Sequence, residues 1–146
     1  MAYCTLEELK SVLPEAVLIR LTDDDGLGAV IPGVVQEALD SAAREIDAYI
    51  GGRYKLPISD TVPPILSKLN ADVAIYNLYS RVKEEIPQTR EDRYKNAVRF
   101  LEQVAAGKIS LGIQPPPGPP GTGEYENGAR ISARPQDFGT TTMEKY

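Results

Sequence analysis

The stretch Val34-Val35-Gln36-Glu37-Ala38-Leu39-Asp40-Ser41-Ala42-Ala43-Arg44-Glu45-Ile46-Asp47-Ala48-Tyr49-Ile50, followed at once by Gly51-Gly52, decides the fold. Its apolar positions Val35, Leu39, Ala42, Ile46, Tyr49 and Ile50 recur at intervals of three and four, which places them on one stripe of an α-helix. Pro32 stands just before the start, where its fixed φ and missing N–H do no harm. The paired glycines end the pattern. The spacing predicts an amphipathic helix over Val34–Ile50 that must bury its stripe against other elements.

Upstream, Thr5 and Glu8 form a Thr-x-x-Glu capping box over Leu6, Leu9 and Leu13, which predicts a short helix to Val12. Glu15 to Leu21 reads as a second short helical piece, ended by the polar loop Thr22-Asp23-Asp24-Asp25-Gly26. Downstream, Arg53-Tyr54-Lys55-Leu56-Pro57 is a non-helical crossover, and Pro63-Pro64 launches the next helix. Ile65, Leu66, Leu69, Val73, Tyr76, Tyr79 and Val82 line one face of that helix, to about Lys83, and Pro87 closes it. Thr89 with Asp92 predicts an acidic capping pair for a third long helix, with Tyr94, Val98, Leu101 and Ala105 facing inward and Gly107 as its stop. The expected fold is all-α: a small bundle of three long and two short helices over residues 1–111.

From Gly112 the composition changes, with half of the chain's 12 prolines and half of its 12 glycines in the last quarter. The run Pro115-Pro116-Pro117-Gly118-Pro119-Pro120-Gly121 lacks the N–H donors of a helix interior or a central strand. Residues 112–146 therefore read as an extended Pro/Gly-rich C-terminal arm, with one possible short strand at Ala129–Ala133. Tyr125, Arg130, Ile131, Arg134, Phe138 and Tyr146 are its candidate contacts with a partner.

The whole chain has 146 residues, 16 basic and 21 acidic side chains, and a formal net charge of −5. That balance argues against a protein whose task is to grip nucleic acid, which requires clustered Lys and Arg. An acidic wall would instead let a phosphate backbone slide past. The single cysteine, Cys4, excludes an internal disulfide, and a reducing cytoplasm is expected. No signal-peptide pattern or membrane-length apolar run is visible, so a soluble protein is expected. Histidine, the commonest general base and metal ligand near neutral pH, is absent.

Several residues resemble the Mu-like phage and prophage family of small virion proteins encoded among the head genes. They are Met1-Ala2-Tyr3 with Leu6 and Leu9, Leu21-Thr22-Asp23 before a Gly-containing loop, Glu45-Ile46-Asp47-x-Tyr49, Arg53-Tyr54-x-Leu56-Pro57, and Pro63 with Leu66. The pattern continues through Asp72-x-Ala74-x-Tyr76-x-Leu78-Tyr79-x-Arg81, Arg93-Tyr94 and Gly107. The resemblance spans about Met1 to Leu111 and rests on the order and spacing of these elements together. It implies a helical connector fold and a place in the virion neck, where similar proteins form a ring, usually a dodecamer, between portal and tail. It implies no catalytic residue, metal or cofactor. The arm departs from the resemblance.

Other constellations of polar and aromatic residues have plain structural roles open to them. Asp23-Asp24-Asp25-Gly26 lacks the ligand spacing of a calcium loop, since Leu21 and Pro32 occupy ligand positions. Asp72 is expected on a buried face, so it needs a partner. Arg53, Arg81 and the Tyr49 hydroxyl are the candidates, and a structural pair of Asp72 with Arg53 is expected to tie the crossover to the second long helix. Cys4 reads as a packing residue. Arg90, Arg93, Lys95 and Arg99 read as a solvated face with i,i+4 pairs such as Glu91–Lys95, or as a patch meeting an acidic portal surface. Tyr49, Tyr54, Tyr76, Tyr79 and Tyr94 read as core and subunit-interface rims.

The function expected is that of a non-enzymatic head–tail connector subunit, assembled in the host bacterial cytoplasm and resident in the virion neck. Its expected partners are copies of itself, the portal protein, and tail or neck proteins, with packaged DNA passing through the lumen. The alternatives are a DNA-packaging accessory protein of the small terminase type, which would need a basic recognition helix, a tail-completion protein, and a carboxylate-based hydrolase.

Overall fold

Among the described residues, 1–58 and 61–113, the computed structural model contains helices and no strand. The helices are α1 (Leu6–Val12), α2 (Glu15–Thr22), α3 (Pro32–Ile50), α4 (Pro64–Arg81) and α5 (Gln88–Ala105). The fold is the expected all-α bundle. The capping box forms: the Thr5 hydroxyl accepts from the Glu8 N–H at 3.2 Å, and the Glu8 carboxylate accepts from the Thr5 N–H at 2.7 Å. Pro32 proves to be the first residue of α3 rather than its forerunner, as suits a residue with no N–H to lose.

The buried side of α3 holds five of the six predicted residues, Val35, Leu39, Ala42, Ile46 and Ile50, together with Ala43, while Tyr49 is half-buried at its edge. This side packs most extensively on α4, while α5 covers both. Helix α4 departs from the one-faced expectation, because Leu69 to Ile75 are buried without a break, along with Leu66, Leu78 and Tyr79. The cause is its position, since α1, α2, α3 and α5 all pack against it. A helix enclosed on most sides through its middle turns keeps little solvent face to pattern there, and its exposed residues, Pro64, Lys68, Ser80 and Arg81, lie outside that buried run.

Two expectations for α5 are corrected. Thr89 does not cap it; the chain enters the helix straight after Pro87, whose carbonyl accepts from the Arg90 and Glu91 N–H groups at 2.8 and 3.1 Å. Asp92 instead accepts from the Gln88 side-chain amide at 2.9 Å. The inner face is Ala97, Leu101 and Val104, while Val98 is half-buried and Ala105 exposed. Tyr94 sets that rotation: its ring stacks on Tyr76, with centroids 4.0 Å apart and planes within 7°. Its hydroxyl donates to Glu45 of α3 at 3.0 Å. Held at the rim by both neighbours, Tyr94 turns the next residues one position away from the predicted stripe.

The ends are tied by side chains. The Tyr54 hydroxyl accepts from the Leu111 N–H at 3.0 Å, joining the segment after α3 to the segment after α5. Buried Thr22 donates to the Leu18 carbonyl at 2.8 Å and accepts from the Ile31 N–H at 3.2 Å, which pins both stems of the α2–α3 loop. The strand expected at Ala129–Ala133 and the candidate contacts Tyr125, Arg130, Ile131, Arg134, Phe138 and Tyr146 lie outside the described residues.

Candidate interaction surface

Asp72 is buried at the middle of α4, with only 4% of its side chain exposed. Its partners are Arg93 of α5 at 3.5 Å and Lys68, one turn back on α4, at 3.9 Å. The expected pair with Arg53 is therefore corrected. The Arg53 guanidinium lies over Gly107, at the C-terminal end of α5, about 20 Å along that helix from Arg93 at 1.5 Å per residue. Its charge there faces the carbonyl end of α5, a favourable place for a cation. Arg81 is occupied elsewhere too: it donates to the Leu21 carbonyl at 3.2 Å and pairs with Asp24.

A groove of about 400 Å³ opens beside Asp72, between α1, α4 and α5. Val12, Pro64 and Ala71 supply apolar lining, Lys68 and Arg93 stand over it, and Ser11, Ser67 and Glu8 close the α1 side. Glu8 is already engaged by its capping box and by the Ser67 hydroxyl at 3.3 Å. On the other side of Lys68 and Arg93 lies a smaller depression of about 240 Å³, floored by Ile65, Leu69, Ala97 and Phe100. Lys68 and Arg93 thus form a cationic ridge between two apolar hollows. Arg90 lies nearby, donating one nitrogen to the Val12 carbonyl at 3.4 Å, while its Nη1 is shielded from water and meets no acceptor among the described residues.

Cys4 is buried, as a packing residue should be. Burial, followed by the negative charge of Glu8, pushes the Cys4 thiol up to about 11, so it stays protonated near neutral pH. The tyrosine hydroxyls hold helices together: Tyr3 donates to Asp47, and Tyr94 to Glu45. Burial and the Glu45 carboxylate push the Tyr94 phenol up to about 12. On α5, Glu91 and Lys95 make the expected i,i+4 pair at 2.7 Å. Among the described residues no cluster of three His, Cys, Asp or Glu side chains is arranged to hold a metal ion. No described helix is long and apolar enough to cross a membrane.

The acidic loop is built rather than loose. The Asp23 carboxylate accepts from the Leu27 and Gly28 N–H groups at 2.8 and 2.6 Å. Those bonds hold its pKa below the ordinary carboxylate value. Gly26 and Gly28 take left-handed φ values of 71° and 72°, which side chains rarely tolerate. Between them, Leu27 is 69% exposed.

Two residues escaped the sequence reading. Asn70, fully buried on α4, accepts from the Tyr3 and Cys4 N–H groups at 3.0 and 2.9 Å and donates to the Leu39 carbonyl at 3.0 Å. Its signal was present in Leu69-Asn70-Ala71, a lone amide in an apolar run. The other is Leu27, whose signal was a leucine set between two glycines in a polar loop.

The family profile described as "Bacteriophage Mu, Gp36" matches residues 3–127. The chain is similar to the Mu-like prophage FluMu protein gp36 of Haemophilus influenzae, 40% identical over 112 residues, which cover 77% of this chain and 74% of that protein. It is also similar to gene product J of Escherichia phage Mu, 37% identical over 82 residues, or 56% of this chain and 55% of that protein.

Proposed function

Because the chain belongs to the bacteriophage Mu Gp36 family, we propose that it is a structural virion protein: a non-catalytic subunit of the ring that joins the portal to the tail. The observation that carries this reading is how the body uses its polar groups. Asp72, Asn70, Asp24, Tyr94 and Glu8 each hold one helix or loop to another. A protein built this way works by its shape and its surface.

The mechanism is mechanical. A small bundle gains stability when copies of itself cover its flanks. The arm after the body, with its proline-preset backbone, loses less entropy on docking than a flexible one and lies along a neighbouring subunit or the portal. Tyr125, Arg130, Ile131, Arg134, Phe138 and Tyr146 are its anchoring side chains. An overall charge of −5 lets packaged DNA pass without adhering.

The test is genetic and structural. Particles made without this chain should accumulate as unjoined heads and tails. The full chain should restore joining, whereas a chain lacking residues 114–146 should not. In joined particles the protein should be found at the neck. Normal joined particles in its absence would refute the reading. Retention of duplex DNA at moderate salt in a gel shift would favour the packaging alternative.

A further inference from the structure

We propose that the Leu27 loop and the α1–α4–α5 groove are the two halves of one contact between neighbouring copies of this chain. The proposal rests on the ring reading and names the surfaces through which one subunit grips the next.

The loop has the features of an anchor. Leu27 is 69% exposed, yet its backbone is fixed by the two hydrogen bonds to Asp23, and the Arg81–Asp24 pair fastens the adjoining residue to α4. A large apolar side chain held out on a braced support has already given up much of the entropy that docking removes. Asp25, exposed beside it, adds a negative charge.

The groove has the complementary features. Val12 (40% exposed), Pro64 and Ala71 offer an apolar seat. Lys68 and Arg93, with side chains 67% and 52% exposed, each reach Asp72 with one nitrogen near the outer limit of contact, so other donors remain for an incoming carboxylate. The carboxylates facing the groove, Glu8 and Asp72, are already engaged within the fold. A leucine with an acidic neighbour fits a seat with a cationic ridge.

One copy cannot satisfy itself. The loop is fastened near Arg81 and the groove is centred near Lys68, about 20 Å apart along α4. The contact therefore joins two different faces of two copies. Such head-to-tail contacts generate rings when the rotation between subunits closes.

The experiment uses the full chain with Leu27→Asp, which spoils the loop, and Val12→Glu, which spoils the groove. Both positions are exposed, and circular dichroism should show unchanged helicity. In analytical ultracentrifugation wild type should associate with concentration. Each variant alone should associate at least about tenfold more weakly. An equimolar mixture of the two should form a heterodimer and stop there, because only one intact loop and one intact groove remain to meet. As a second check, Asp25→Lys should weaken association and Lys68→Glu should restore it. If Leu27→Asp associates as wild type does, or the mixture gives no heterodimer, this contact is wrong and the ring reading stands. If wild type stays monomeric at every concentration, both fall.

Discussion

At the residue scale, Asn70 shows how one side chain organises three segments. Its amide accepts from two backbone N–H groups just before α1 and donates to a carbonyl of α3, all from a fully buried position on α4. Replacing it with leucine keeps the branching of the side chain but strands those groups away from water, at about 1–3 kcal/mol for each buried group left unpaired. Asn70→Leu should lower the urea midpoint by an amount equivalent to about 3 kcal/mol with little change in the slope. Asp23 and Glu8 make a second test. Both have pKa values lowered in the fold, Asp23 by the Leu27 and Gly28 N–H groups and Glu8 by the Thr5 N–H and hydroxyl. A depressed carboxylate contributes stability above its unfolded pKa and loses it as pH falls through the folded value. The wild type should therefore lose stability progressively below the ordinary carboxylate values of 3.8 and 4.5. In Asp23→Asn plus Glu8→Gln that acid slope should be shallower, read from thermal midpoints across the range.

At the element scale, α5 is where periodicity misleads. Tyr94, Val98, Leu101 and Ala105 satisfy a helical spacing, and so do Tyr94, Ala97, Leu101 and Val104. Hydropathy favours neither strongly, because each set pairs an alanine with a valine. The Tyr76 stack and the Glu45 hydrogen bond choose the second set. Two chemically identical truncations separate the faces. Val104→Ala, at a fully buried position, should cost about 2 kcal/mol, and Val98→Ala, half-buried, less than about 1 kcal/mol. Equal losses in chemical denaturation would mean α5 is rotated from the orientation described.

At the scale of the whole molecule, the body's internal ties run between its helices and the short segments around them. A chain lacking residues 114–146 should keep its helicity and thermal midpoint, measured by circular dichroism, even where it fails to support particle joining. Loss of folding on truncation would make the arm a structural part of the body. The two-faced contact proposed above would let identical subunits join without a two-fold axis.

Local signals in the chain were enough to determine the helices and most of their limits: the Thr5–Glu8 box, the stripe of α3, the glycine pair after Ile50 and the prolines that open α3 and α4. These depend on residues within a turn of one another, so spacing alone carries them. That Asp72 would be buried and need a partner was also legible, from its place between Leu69 and Val73. The identity of the partner was not. Arg53, Arg81 and Arg93 are equivalent by charge, and only the lie of α5 against α4 brings Arg93 to Asp72 while leaving Arg53 over Gly107. The enclosure of α4, the rotation of α5 and the separation of the Leu27 loop from the groove were likewise decided by tertiary packing. Each depends on which helix lies beside which, and sequence spacing holds no record of distances between segments far apart in the chain.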